Sequence, residues 1–299
     1  MAPLSCGHWC GGAGLVPRPL DSDTSDIEVF MIPLKLSETH QRSKGIARAD
    51  FFARGGRAVL GELYQQGSAK LILLPGPELV FLNTSGGLTG GDRLALNITL
   101  GAGCRLTATT QTAERAYRST SGAAHVDIGM HVGDGAHLDW LPQETILFDA
   151  AQLRRRTIIT LGKGASCLMA ETVVLGRAAM GEQVNTLDFH DWRLIRQGDT
   201  PCHAEALALD APRLNSRAAG LAGMRAFATL VLVAEGAQDK LALARAALHP
   251  DPDVNAAASA MPGRLVVRLM ARDNWPLRQQ MVRLLQALRP TALPRVWQM

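Results

Sequence analysis

Four glycines within ten residues, Asn83-Thr-Ser-Gly-Gly-Leu-Thr-Gly-Gly-Asp92, constrain this chain more than any other stretch. They lie between the apolar run Leu79-Val80-Phe81-Leu82 and a strictly alternating segment, Leu94, Leu96, Ile98 and Leu100. Paired glycines between strands mark backbone that needs φ > 0 or comes too close to a neighbour for a Cβ. Gly86, Gly87, Gly90 and Gly91 therefore read as a structural turn, with Asp92 accepting backbone N–H groups across it.

A second glycine pattern repeats. Leu100-Gly-Ala-Gly-Cys104 returns as Val132-Gly-Asp-Gly-Ala136 and as Leu161-Gly-Lys-Gly-Ala165, the copies starting 32 and then 29 residues apart. Each copy ends one alternating apolar strand and opens another, which suits a tight hairpin. Self-similarity at this period predicts stacked units sharing one elongated core. The expected fold is mainly β: stacked antiparallel hairpins in an elongated β-solenoid-like domain, with a small C-terminal α/β element of two helices.

Residues 31–299 read as a single domain, β-rich over 45–211 and α/β over 212–299. Strands are predicted at Ala47–Ala53, Ala58–Gln65, Lys70–Leu74 and Glu78–Leu82, and a further pair at Glu182–Gln197 and Cys202–Leu209. Ala226–Val233 and Arg264–Met270 are strands in the C-terminal part. The helices are Asp239–Leu248, stopped by His249-Pro250, and one opened by Asp273-Asn274-Trp275-Pro276 with Leu277, Met281, Leu284, Leu285 and Leu288 on its apolar face. Residues 1–30 mix Gly, Pro, Ser and Asp without periodicity and read as a disordered leader, with Met31 as an alternative start. Within it Cys6, His8 and Cys10 fall short of the four ligands that a structural metal site wants.

Composition excludes several classes. A net charge of +4 is far from a nucleic-acid footprint, and the one basic run, Arg154-Arg155-Arg156, fits a strand edge or a solvated face. Five scattered cysteines do not form a disulfide framework, and no apolar run reaches membrane-span length. A soluble cytoplasmic protein is expected. The sequence holds no GxxxxGK[ST], GxSxG, HExxH or CxxC pattern, so phosphate-loop, serine-hydrolase and common zinc chemistry have no foothold. Asp188, His190 and Asp191 fit a half-exposed strand face better than a metal or acid/base group.

Five blocks, taken in order, resemble the urease accessory protein D family (UreD, called UreH in some bacteria). They are Ser85-Gly-Gly-Leu-Thr-Gly-Gly-Asp-Arg93, Thr109–Ser119 ending in Tyr-Arg-Ser, Leu141-Pro-Gln-Glu-Thr-Ile-Leu-Phe-Asp149, Glu171–Glu182 with its Leu-Gly-Arg centre, and the terminal Pro294-Arg-Val-Trp297. Arg115 stands where members often have Lys. The resemblance spans residues 45–299; residues 1–30 lie outside it.

The resemblance implies a non-enzymatic protein that docks on apo-urease, joins a UreF-type accessory protein and a UreG-type GTPase, and helps deliver nickel. No cofactor would be tightly bound, nickel would be handled transiently, and neither nucleic acid nor membrane is an implied partner. A water-filled route with sparse carboxylates would pass the ion through weak, exchanging contacts, since affinity alone does not select nickel. Glu171, Glu182 and Glu144 are the candidates for that route. Arg115, Tyr117, Arg118 and Arg177 are candidate partner contacts. The alternative is a β-solenoid enzyme acting on carbohydrates or small molecules, which the low aromatic content of 5% opposes.

Overall fold

The computed structural model describes residues 42–215 and 220–298. The leader, with Cys6, His8, Cys10 and Met31, lies outside the described residues. The strands are β1 (Lys44–Arg54), β2 (Arg57–Gly67), β3 (Ala69–Leu74), β4 (Glu78–Asn83), β5 (Arg93–Leu100), β6 (Arg105–Thr110), β7 (Glu114–Ala116), β8 (Ala124–Val132) and β9 (His137–Leu141). They continue as β10 (Thr145–Leu147), β11 (Ala151–Leu161), β12 (Ser166–Leu175), β13 (Leu187–Gln197), β14 (Thr200–Asp210), β15 (Ala226–Val233), β16 (Val254–Met261) and β17 (Arg264–Ala271). The α-helices are α1 (Ala211–Asn215), α2 (Leu241–Ala247) and α3 (Asn274–Leu288).

Two sheets face each other. The first runs β14-β13-β11-β8-β5-β1-β2, and the second runs β16-β17-β15-β12-β9-β6-β4-β3. The solenoid-like stacking expected from the repeats is present, but the pairing within each unit differs from a hairpin. β5, β8 and β11 lie side by side in parallel in the first sheet. Their successors β6, β9 and β12 do the same in the second. Each Gly-x-Gly is therefore a corner that carries the chain from one sheet to the other. A corner and a hairpin turn leave the same local mark, glycine with φ > 0 between alternating strands; what separates them is a partner strand some thirty residues away.

The corners stack on one another. Gly133 N donates to Leu100 O at 2.8 Å, and Gly162 N to Val132 O at 2.7 Å. A Cβ on Gly133 would meet Leu100 O at 2.7 Å and Ala102 N at 2.8 Å, both backbone atoms. The pair β13–β14 is a true antiparallel hairpin, turning at Gly198 with φ 56°.

The first sheet buries one face, as the alternation in β5 and β8 dictates. The second buries both at its centre, which explains the near-continuous apolar runs of β12 and β15. One core lies between the sheets, built from residues such as Leu96, Ile128, Trp140 and Met169. Another lies between the second sheet and α3, which buries Leu277, Met281, Leu284 and Leu285. Asp273 caps α3 by accepting from Trp275 N at 3.1 Å. The strand β16 escapes a periodicity reading because its Ala-Ala-Ala-Ser-Ala stretch carries almost no hydrophobic contrast. No helix among the described residues is long and apolar enough to cross a membrane.

Because its Cβ would strike fixed backbone, Gly133→Ala should lower stability by about 1–3 kcal/mol. The same change of measurement on Ala102→Ser, at the exposed centre of a corner, should stay within about 0.5 kcal/mol. Urea unfolding of both variants checks the pair.

Candidate functional site

The five blocks converge in space. Leu88 of the glycine turn bridges to Ala116, β7 pairs in parallel with β10, and β10 pairs in parallel with β12. The terminal block closes on the same place: Trp297 Nε1 donates to Leu141 O at 2.9 Å, and the Arg278 guanidinium lies 4.8 Å over the Trp297 ring.

The glycine turn is fixed from within. Asp92 is buried and accepts from Ser43 N at 2.7 Å and Thr89 N at 2.8 Å. Gly86, Gly87 and Gly91 hold φ of 79°, 148° and 87°. A Cβ on Gly90 would meet Ser119 Oγ at 2.1 Å and Gly122 O at 2.4 Å. Tyr117 packs edge-on to Phe148 with ring centroids 4.9 Å apart, and its hydroxyl donates to Gly86 O at 3.2 Å. Arg118 pairs with Asp149 at 3.0 Å. Arg177 covers the other part of Phe148, its guanidinium 4.7 Å from the ring, so Tyr117 and Arg177 flank one aromatic side chain. Arg115 is exposed on β7.

The three candidate carboxylates are each held by an arginine. Glu182 accepts from Arg177 Nε at 2.8 Å and from Asp149 N at 3.1 Å. Burial pushes its carboxyl up, but these donors outweigh it and hold the carboxyl below its usual range. Glu144 lies 3.5 Å from Arg278 Nη1. Glu171, on β12, is 1% exposed; it accepts from Trp140 Nε1 at 2.8 Å and lies 2.7 Å from Arg155 Nη1. Glu171 and Glu144 fall on one assembly, because Arg155 also donates to the hydroxyl of Thr145, the residue after Glu144, at 3.0 Å.

Arg155 joins a longer row of charge between the sheets. It donates to Asp191 at 3.0 and 2.7 Å, Arg193 donates to Asp191 and to Glu205 at 3.0 Å, and Arg268 donates to Glu205 at 2.9 Å. Burial works against both ions, yet the neighbouring opposite charges prevail: Arg155 is raised and Asp191 lowered from their ordinary values. The row opens into a cavity of about 660 Å³ lined by Arg193, Glu205, Leu207, Phe227, Thr229 and Arg268.

This arrangement has counterparts. A family model described as UreD urease accessory protein matches residues 43–298. The urease accessory protein UreD of Cereibacter sphaeroides is 56% identical over 265 residues, covering 86% of this chain and 96% of that one. Its namesake in Paracoccus denitrificans is 49% identical, over 86% and 93%. That in Dinoroseobacter shibae is 43% identical, over 95% and 99%. The chain belongs to the UreD urease accessory protein family. Members are urease maturation factors rather than enzymes.

Two expectations about this UreD chain need correction. Arg154-Arg155-Arg156 is on no sheet edge, since β11 lies between β8 and β13; Arg156 does lie on a solvated face, but Arg155 is only 7% exposed. Asp191 is likewise not on a half-exposed face; it is 2% exposed, whereas Asp188 and His190 do face outward, with Asp188 bonded to Arg154 at 2.6 Å. The phase of the strands carried the signal. Arg155 shares parity with Leu153, Ile159 and Leu161, and Asp191 with Leu187, Phe189 and Ile195, all inward. Glu114 was missed as well. It lies beneath the glycine turn, both oxygens 3.2 Å from the Asn83 amide, and burial raises its pKa to about 7. Among the described residues no three His, Cys, Asp or Glu side chains cluster closely enough to hold a metal ion.

Removing Arg155 would leave Glu171 buried without a cation and Asp191 with Arg193 alone. Arg155→Met should therefore cost about 3–5 kcal/mol in guanidinium unfolding, with much of the loss recovered when Glu171→Gln is added. Glu114 gives a pH signature. Its folded pKa of about 7 exceeds the ordinary 4.5, so its contribution is full below pH 4.5 and is lost as pH rises through 7. Glu114→Gln should remove that slope and leave the variant more stable than the parent at pH 8, by up to about 3 kcal/mol. Urea midpoints of both proteins between pH 5 and 8 measure it.

Proposed function

We propose that this chain is a scaffold that binds apo-urease in the cytoplasm and, with a UreF-type accessory protein and a UreG-type GTPase, helps insert nickel into the urease active site. Nickel is cargo in this reading. It moves through weak contacts with carboxylates, of which Glu171, Glu182 and Glu144 are the candidates, and Arg115, Tyr117, Arg118 and Arg177 offer exposed groups for partner contact beside them.

The observation that carries the reading is the state of Glu171. It is buried and already engaged by the Arg155 guanidinium and the Trp140 indole N–H. To take a metal it must release the guanidinium, so binding is weak and reversible, as passage requires. Sparse, arginine-held carboxylates in a wall suit transit better than storage, which calls for several free ligands around one point.

The test is urease activation in cells that express the urease subunits and the other accessory proteins, with nickel counted per purified urease. Omitting this chain should leave nickel-poor, inactive urease; full activation without it would sink the reading. Glu171→Gln, which keeps the Trp140 hydrogen bond but removes the charge, should lower nickel loading about tenfold, the scale of losing a supporting contact at a metal site. Glu144→Gln and Glu182→Gln tested beside it rank the three candidates. A Glu171→Gln protein that folds normally and loads nickel fully would remove Glu171 from the route.

A further inference from the structure

The two ends of the sandwich are finished differently. At the β14 end, Glu205 accepts from Arg193 on β13 and from Arg268 on β17, so ion pairs bridge the gap between the sheets. At the other end the sheets stop at β2 and β3, each with a neighbour on one side only among the described residues. Near the β2–β3 turn Gln65 Oε1 accepts from Leu71 N at 2.9 Å, but no ion pair among the described residues closes that gap.

The apolar interior runs out into solvent there. Register sets Leu63 opposite Ala49 and Leu73 opposite Leu79, and both of those partners belong to the core between the sheets. Leu63 and Leu73 thus continue the inward columns, yet they are 45% and 46% exposed. Phe52, Tyr64 and Ile72 add exposed surface on the outer faces. Solenoids ordinarily close with a polar capping unit, and free edges carry charges that block pairing. β2 has eleven residues with only Arg57 and Glu62 charged; one irregularity near Gly61 leaves Leu63–Gly67 as a continuous open edge.

Charge decides what fits. Arg48, Arg54, Arg57 and Lys70 stand around the edge against Asp50 and Glu62, and none of them is in an ion pair among the described residues. A second copy would bring like charge against like. We infer that this end is a docking surface for another protein, which adds an apolar strand flanked by carboxylates to β2 and seats a side chain between Leu63 and Leu73. Main-chain pairing at an open edge with one side-chain pocket is a common mode of strand addition. The inference rests on the maturation reading, whose partners supply the probes.

The experiment uses the full chain and three probes: nickel-free urease, the UreF-type protein and the UreG-type GTPase, each measured by biolayer interferometry. Two variants are compared with the parent, Leu63→Glu with Leu73→Glu, and Arg54→Glu with Arg57→Glu. Both should weaken the same probe by about tenfold or more, and parental binding to that probe should weaken as salt rises. The leucines are half exposed, so the unfolding midpoint should hold; the arginine variant tests the surface without touching the core. Parental affinity of both variants for all three probes overturns the inference. So does a parental dimer in sedimentation that the leucine variant dissociates, which would make the occupant a second copy. A parent that binds none of the probes sinks the maturation reading and this surface with it.

Discussion

Parallel strands stack about 4.8 Å apart, and the chain must keep that spacing where it turns from one sheet to the other. This governs the molecule. At the corners, Gly133 and Gly162 lie against the carbonyls and amides of the corner before them, and a methyl group there would wedge the rungs apart. Once the corners stack, the strands on both sides are held in register. Leu94 aligns with Val126 and then with Arg155 and Asp191, and Ile98 aligns with Met130, Ile159 and Ile195. Every inward residue therefore becomes part of a column.

Those columns explain where charge enters the core. The apolar column that begins at Leu94 and Val126 ends in Arg155 and Asp191, beside one in which Thr157 aligns with Arg193. The second sheet answers with Glu171 from across the gap. Such a row is a poor source of stability: desolvating the ions costs several kcal/mol each, and apolar residues of similar volume often do as well or better. Its ion pairs compensate rather than add. Stability alone does not account for a row of this length.

Much of this was legible in the sequence. The stacked β architecture, the terminal helices and the strands β1–β4 follow from alternation, helical spacing and glycine punctuation. The pairing was not, because Gly101-Ala-Gly103 reads the same as a hairpin tip or a corner until the strand thirty residues on is placed. Arg155 was misread for a related reason. Three consecutive arginines suggest solvent, and only the parity of Leu153 and Ile159 around them shows that the middle one points inward. Glu114 left no mark of any kind: its burial comes from the glycine turn folding over Asn83, a contact between residues 31 apart in sequence.

The convergence of the five blocks adds a physical reason for treating them as one device. Tyr117 ties the glycine turn to Phe148, Arg177 covers the other part of Phe148 and holds Glu182, and Glu182 in turn accepts from the backbone of Asp149. On the far side Arg278 couples Gln143 and Glu144 to the terminal Trp297. An arginine holds each of the three candidate carboxylates, Glu171, Glu182 and Glu144. In the proposed route a cation would compete with a tethered guanidinium, not with water alone. Because the guanidinium stays attached, it can rebind as soon as the cation leaves. That would make each contact brief and would keep the carboxylate from becoming an unpaired buried charge between visits, a condition that freely exposed acids satisfy only by staying in solvent.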